Sequence, residues 1–212
     1  MLWQSIPPPE NTKVEQLSSL LNVPQEIAGL LVQRGITSFE QAKNYFRPAL
    51  NDLHDPFLMQ DMKQAVERIV QAIETKESVM VFGDYDVDGT TAVALVTEYL
   101  KNHIEVVIPY IPDRYKEGYG ISTAGIDQAR AADVSLIIAL DCGIKAHEQI
   151  AYANTRGVDF IICDHHLPDA TLPDAIAVLD PKRTDCPYPY KELCGCGIGF
   201  KLIQALQQYF GL

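Results

Sequence analysis

The sequence lacks long apolar runs. None approaches the roughly 18 residues that a bilayer-spanning helix needs, so a transmembrane protein is not expected. Residues 1–9 contain neither the basic flank nor the apolar core of a signal peptide. A cytoplasmic, monomeric protein without a membrane partner is therefore the expectation, and the sequence indicates no particular protein partner.

Basic residues are also scarce. Seventeen Lys and Arg residues stand against 28 Asp and Glu, which gives a net charge of −11. This balance argues against a protein that coats nucleic acid, because such proteins are usually basic. It does not exclude a nuclease, since carboxylates that hold metal ions count as negative and the bound ions reverse the local field.

Cysteine pairs are missing as well. The five cysteines are an odd number, which argues against a disulfide framework. Cys194 and Cys196 form a C-x-C, but no second Cys or His pair lies nearby at the spacing of a zinc site. Buried, reduced thiols are the expected state.

The pattern that is present predicts an α/β fold with a parallel sheet of about five strands and helices on both faces. Short apolar segments alternate with helical segments from residue 61 onward. Residues 1–55 are predicted to form a small helical N-terminal extension and linker, and residues 56–212 the α/β domain. The strands are predicted at 79–82, 105–109, 134–140, 160–163 and 176–179, and the helices near 90–102, 122–132, 145–156 and 197–210.

Acids and histidines follow three of these strands directly. Because the carboxyl ends of parallel strands form one rim where ligands bind, these distant positions are expected to converge. A lone Asp after a strand is usually a cap or turn residue, but three such sites together indicate function. The residues are Asp84, Asp86 and Asp88 after the first strand, Asp141 after the third, and Asp164, His165 and His166 after the fourth.

Asp oxygen and His nitrogen are suitable ligands for Mn²⁺, and for Mg²⁺ when fewer nitrogens are present. Asp84 and Asp86 are two residues apart, so they can share one face of an extended strand or serve two ions from a loop. A carboxylate such as Asp141 can bridge two ions about 3.5–4 Å apart, which activate water for phosphoryl displacement. Asp88 has a second interpretation, as the cap of a helix that begins at residues 89–91.

Two glycine-rich segments are candidates for substrate binding. Arg114 precedes Gly118 and Tyr119 in a loop where the guanidinium suits a phosphate and the tyrosine suits a base. A plain surface loop with turn glycines explains this pattern equally well. Gly195 and Gly197 open the last predicted helix, where backbone amides can bind an anion.

These motifs together resemble the RecJ-type nucleases of the DHH phosphoesterase superfamily. The resemblance rests on the segments at 81–91, 140–143 and 163–168, on the Arg114 loop, and on residues 193–202. It covers nearly the whole chain, including the helical opening.

The resemblance implies a 5′-to-3′ exonuclease that acts on single-stranded DNA in recombination and repair, with Mn²⁺ or Mg²⁺ as cofactor. It implies that Asp84 and Asp86 bind metal, that Asp141 bridges, and that His165 completes one ion. Asp164 and His166 would orient these ligands or meet the phosphate.

The sequence departs from the family pattern in two ways. Some relatives carry a His where this chain has Phe82, which predicts weaker binding of one ion. The family also has a further metal-binding Asp after the Gly-rich helix and a second domain with a Gly-Gly-His motif. Neither is found here, so the chain is expected to be part of a longer protein with an incomplete active site.

Three alternatives stay open. Residues 86–90 match the D-x-D-G-T signature of haloacid-dehalogenase-like phosphatases, in which Asp86 would be a covalent nucleophile. A small-substrate phosphodiesterase or pyrophosphatase of the DHH superfamily is the second. A catalytically incomplete nucleic-acid-binding module is the third.

Overall fold

The computed structural model describes residues 6–212, which form two compact units. The first unit ends at Leu53 and contains three helices around a small apolar core that includes Leu17, Ala28 and Leu31. The second unit runs from His54 to Leu212 and contains the sheet. The helices of the first unit are α1 (Asn11–Leu21), α2 (Gln25–Gln33) and α3 (Phe39–Phe46).

The second unit is built on a five-stranded, fully parallel sheet in the order β2-β1-β3-β4-β5. The predicted α/β class is confirmed. The chain leaves β1 toward β2 on one side and continues to β3 on the other, so the winding direction reverses between β1 and β3. The strands are β1 (Ser78–Gly83), β2 (Val107–Tyr110), β3 (Val134–Leu140), β4 (Asp159–Cys163) and β5 (Ala177–Leu179).

Helices cover both faces of the sheet because successive strand residues point to opposite sides. In β1, Val79 and Val81 pack into one core cluster, whereas Met80 and Phe82 pack into the other. The first cluster includes α4 (Met62–Glu74), α5 (Val87–Leu100) and α8 (Gly195–Phe210); the second includes α6 (Thr123–Ala131) and α7 (His147–Thr155).

The predicted boundaries differ from the observed ones by up to three residues. Strand β2 begins at Val107, two residues after the predicted start, and α5 begins at Val87, three residues before it. The early start of α5 has a local cause, since the carboxylate of Asp86 accepts hydrogen bonds from the first free amides of the helix.

The cysteines of the described chain are all free. Cys142, Cys163 and Cys186 are buried as expected, but Cys194 is exposed and Cys196 is half-buried. Among the residues described, no helix combines the length and apolar character needed to cross a bilayer.

Candidate metal centre

The carboxyl edge of the sheet brings the predicted site residues together. Asp84 follows β1, Asp141 follows β3, and the Asp164-His165-His166 segment follows β4. Asp84 and Asp141 therefore flank the point where the winding reverses, which is where ligands bind in open parallel sheets.

Two groups of side chains at this edge lie close enough together to hold a metal ion. Ligand atoms of Asp84, Asp86 and Asp141 all lie within 4.8 Å of one another, and so do those of Asp141, His165 and His166. Asp141 belongs to both groups, which is the position of a bridging carboxylate. All four predicted metal ligands are thus close together, and His166 joins them.

Unpartnered oxygens indicate that these groups suit a cation. Oδ1 of Asp84 and Oδ1 of Asp141 are buried, and neither accepts a hydrogen bond from any described residue. Nε2 of His165 lies 3.1 Å from Oδ1 of Asp141, but the pair is not aligned as a hydrogen bond. A buried carboxylate oxygen without a donor is costly, and a divalent ion supplies the missing interaction.

The backbone of Asp141 is also unusual. Its φ of 61° lies in the left-handed region, which costs a non-glycine residue roughly 1–2 kcal/mol. Its amide donates to the carbonyl of Cys163 at 2.8 Å, so the next strand fixes this conformation. The strained backbone residue is thus Asp141, whose side chain belongs to both groups.

The carboxyl groups of Asp84 and Asp141, each with one unpartnered oxygen, have raised pKa values. Burial raises the pKa of Asp141 to about 7, and the charges of Asp88, Asp86 and Asp164 add to this effect. Burial also raises the pKa of Asp84, with a contribution from Asp86. A bound divalent cation would act in the opposite direction and favour both ionised forms.

This raised pKa predicts a pH-dependent stability of the metal-free chain. Because the folded state binds the Asp141 proton more tightly than the unfolded state, Asp141 stabilises less as pH rises from 3.8 to about 7. Asp141→Asn has no such proton. The unfolding free energy of the variant minus that of the parent should therefore increase as pH rises across this window and become constant above it. Urea unfolding at several pH values measures this; a pH-independent difference would contradict it.

Asp164 positions the histidines. Its buried carboxylate accepts from the amide of Ile144 at 2.9 Å, the amide of His165 at 2.7 Å, and Nδ1 of His166 at 2.7 Å. Burial alone would raise the pKa of Asp164, but these hydrogen bonds outweigh it and lower the pKa. The bond to Nδ1 leaves Nε2 of His166 facing the edge, 3.5 Å from the hydroxyl of Tyr119. Asp164 therefore fixes the orientation of the His166 ring.

Asp86 and Asp88 cap two different helices. Oδ1 of Asp86 accepts from the amides of Asp88 at 2.9 Å and Gly89 at 3.0 Å at the start of α5. The carboxylate of Asp88 accepts from the amides of Gly195 and Cys196, both at 2.7 Å. The alternative role of Asp88 as the cap of its own helix is wrong, because α5 begins at Val87 and its N-cap is Asp86.

The glycine-rich start of α8 does not present the free amides that its sequence predicts. The Gly195 amide donates to Asp88, and the Gly197 amide donates to Sγ of Cys194 at 3.3 Å. The two amides that were expected to bind an anion therefore already bind the Asp88 carboxylate and the Cys194 sulfur. Gly195 has another role. A Cβ at this position would lie 2.5 Å from Cβ of Asp141, so the absence of a side chain lets α8 pack directly against Asp141.

The Arg114 loop folds toward the same edge. The Arg114 guanidinium carbon lies 5.2 Å from the ring centroid of Tyr85, and the rings of Tyr85 and Tyr119 meet edge to face at 6.2 Å. Gly118 has a φ of 86°, which suits the turn between Arg114 and Tyr119. The structure thus gathers one cation and two aromatic rings beside Asp84 and His166.

Comparison with known proteins identifies the family. The model described as "DHH family, N-terminal domain" matches residues 78–211, more than half of the chain. The chain belongs to the DHH family.

Similar DHH proteins include the single-stranded-DNA-specific exonuclease RecJ of Bacillus subtilis, 42% identical over 206 residues that cover 97% of this chain and 26% of that protein. A crystal structure of exonuclease RecJ bound to manganese matches with a TM-score of 0.65 and 31% identity, covering 73% of this chain and 39% of that one. The RecJ structure with Mn²⁺ from Thermus thermophilus matches with a TM-score of 0.77 and 25% identity, covering 98% and 28%. The chain thus spans about a quarter to two-fifths of the length of these proteins.

Phe82 and Asp180 also lie at or next to the carboxyl ends of strands. Phe82 is buried in the core and stacks on Tyr110 with ring centroids 5.1 Å apart. Asp180, which sequence reasoning missed, follows β5 directly and is fully buried. Burial raises its pKa to about 6, and Oδ2 has no partner among the described residues. Its position after an apolar strand is the signal that marked the other acids.

Proposed function

We propose that this chain carries the metal-binding edge of a phosphodiesterase that hydrolyses single-stranded DNA with Mn²⁺ or Mg²⁺. The two side-chain groups that share Asp141, with its buried unpartnered oxygen, are the observation that supports this most directly. The RecJ relatives are named single-stranded-DNA-specific exonucleases, which supports the substrate class. The 5′-to-3′ direction and the roles in recombination and repair rest on the family resemblance alone.

Each side chain has a task in this proposal. Asp84, Asp86, Asp141 and His165 would hold the ions, and Asp164 binds Nδ1 of His166, which would leave Nε2 free to face the substrate. When bound, a pair of divalent ions activates water and neutralises charge on the phosphate.

Aromatic side chains favour a nucleic-acid strand over a small phosphoester as substrate. Tyr115 and Tyr119 are exposed in the loop beside the edge, and Tyr85 lies under Arg114. Bases of a single strand stack on such rings without sequence preference. The small-substrate and binding-module alternatives remain, because the chain covers only part of its relatives' length.

The covalent phosphatase alternative loses its support. The family model covers the D-x-D-G-T match, and one carboxylate oxygen of Asp86 is bound by two amides at the start of α5. The predicted monomeric state and cytoplasmic location remain predictions.

Calorimetric titration of Mn²⁺ into the chain tests the proposed function. We expect two ions to bind to the parent and one to Asp84→Asn, because Asp84 belongs to only one of the two groups. Asp133→Asn is a matched control. Asp133 is exposed and directly precedes β3, so it lies at the opposite end of that strand from Asp141. Absence of Mn²⁺ binding to the parent, or equal loss in the control, would contradict the proposal.

Substrate class is tested by comparing single-stranded DNA, duplex DNA, a dinucleotide and pyrophosphate under the same Mn²⁺ concentration. Hydrolysis of the single strand in preference to the others is the expected result. Preference for the dinucleotide or pyrophosphate would favour the small-substrate alternative.

A further inference from the structure

A cavity of about 310 Å³ opens beside the candidate metal centre. It lies between the loop that contains Tyr119 and the turn that follows β3, and it shares His166 with the second metal group. Small-molecule sites begin at about 300 Å³, so the cavity suits one compact ligand. The residues that decide its chemistry are Tyr119, Ile121, Ile144, Ala146, Gln149 and His166.

The lining combines apolar side chains with several polar ones. Ile121, Ile144 and Ala146 supply apolar surface. Asp164 also borders the cavity, but its oxygens accept hydrogen bonds from Ile144, His165 and His166. The Asp164 carboxylate is therefore already bonded within the protein and is not free to bind a ligand.

Gln149 is the polar group that is free to bind a ligand. Its half-buried side chain makes no hydrogen bond to any described residue, and no described side chain caps the start of α7, where it lies. A carboxamide both donates and accepts, so it can pair with polar atoms of any of the four bases. Lys145 also borders the cavity, but its amine lies 3.6 Å from the carboxylate of Asp169.

Gly143 maintains the shape of the cavity. Its φ is 111°, and a Cβ at this position would lie 2.9 Å from Cδ1 of Ile121. The missing side chain lets the Tyr119 loop close against the turn after β3. The close approach of these two segments forms one side of the cavity.

We propose that this cavity binds the base and sugar of the nucleotide next to the phosphate that is hydrolysed. This inference rests on the proposed function, which places the phosphate at the metal edge. A nucleoside attached to that phosphate must lie within one nucleotide of the ions, and the cavity shares a wall with them at His166. Apolar side chains beside the unbonded carboxamide of Gln149 suit a nucleoside, and a carboxamide can pair with any of the four bases.

Binding of deoxyadenosine monophosphate tests the inference, with inorganic phosphate as the comparison probe. We expect Gln149→Ala to weaken nucleotide binding about fivefold, the usual effect of one neutral hydrogen bond, and to leave phosphate binding unchanged. Ala146→Leu should weaken it by filling the cavity. Gln128→Ala, an exposed glutamine on α6, is the matched control. Amide NMR shifts at Gly120 and Ile144 should respond to the nucleotide and not to phosphate.

Mn²⁺ titration of the same samples separates the two proposals. Normal Mn²⁺ binding with nucleotide affinity unchanged in both cavity variants would overturn the nucleoside site and leave the proposed function standing. Failure of the parent to bind the nucleotide would also overturn it. Failure of the parent to bind Mn²⁺ would instead contradict the proposed function.

Discussion

Asp141→Asn is expected to abolish binding of both Mn²⁺ ions while leaving the fold intact. Both metal groups contain Asp141, so loss of its charge weakens both sites. Replacing a partner outside the coordination sphere typically costs 10–100-fold in affinity, so a loss of at least about 100-fold is expected for the shared ligand. Calorimetry measures the affinity and the number of ions bound.

The stability of the same variant should move in the opposite direction. Above pH 7 the metal-free parent buries a charged Asp141 with an unpartnered oxygen, whereas the variant buries a neutral amide of the same shape. The variant should therefore unfold at a urea concentration no lower than the parent. An Asp141→Asn chain that still binds two ions, or one that binds none because it is unfolded, would contradict this account.

Gly195→Ala is expected to destabilise the chain and to weaken Mn²⁺ binding. The new methyl group would lie 2.5 Å from Cβ and 2.6 Å from Oδ1 of Asp141, closer than van der Waals contact allows. Either α8 or Asp141 must move. Overpacking of this kind costs roughly 1–3 kcal/mol, and here the displaced side chain is the shared ligand.

Gly197→Ala is the matched control for this prediction. Gly197 lies two residues further along α8, and a Cβ there would meet its nearest neighbour, Cδ2 of Leu193, at 3.4 Å. Alanine is favoured over glycine in helices by up to about 1 kcal/mol, so the control should be neutral or stabilised. Urea unfolding and Mn²⁺ titration of both variants measure the difference. Equal behaviour of the two variants would show that close approach of α8 to Asp141 is unimportant.

Many of the candidate site residues could be predicted from the sequence, because the rule that identifies them needs only the residues next to each strand. An acid that directly follows a buried parallel strand lies at the carboxyl edge of the sheet, whatever the order of the strands. That rule found Asp84, Asp141 and Asp164. The same rule applies to Asp180, which directly follows β5.

The contacts between distant segments could not be predicted. Asp88 caps α8 at a residue 107 positions further along the chain, and nothing in the sequence near Asp88 indicates that partner. Gly195 was interpreted as a source of free amides because the start of a helix normally has them. Only the packing of α8 against the edge shows that these amides are already bound and that Asp141 lies against Gly195.

The two outer strands of the sheet affect how the protein behaves at high concentration. Outer strands expose unpaired backbone groups, and these can template pairing with another chain. Here β2 contains Pro109, which has no amide hydrogen to donate, and β5 has only three residues. Both features limit the continuous backbone that a second molecule could pair with. These two features reduce the tendency of the sheet to pair with other molecules, and neither involves the candidate metal ligands.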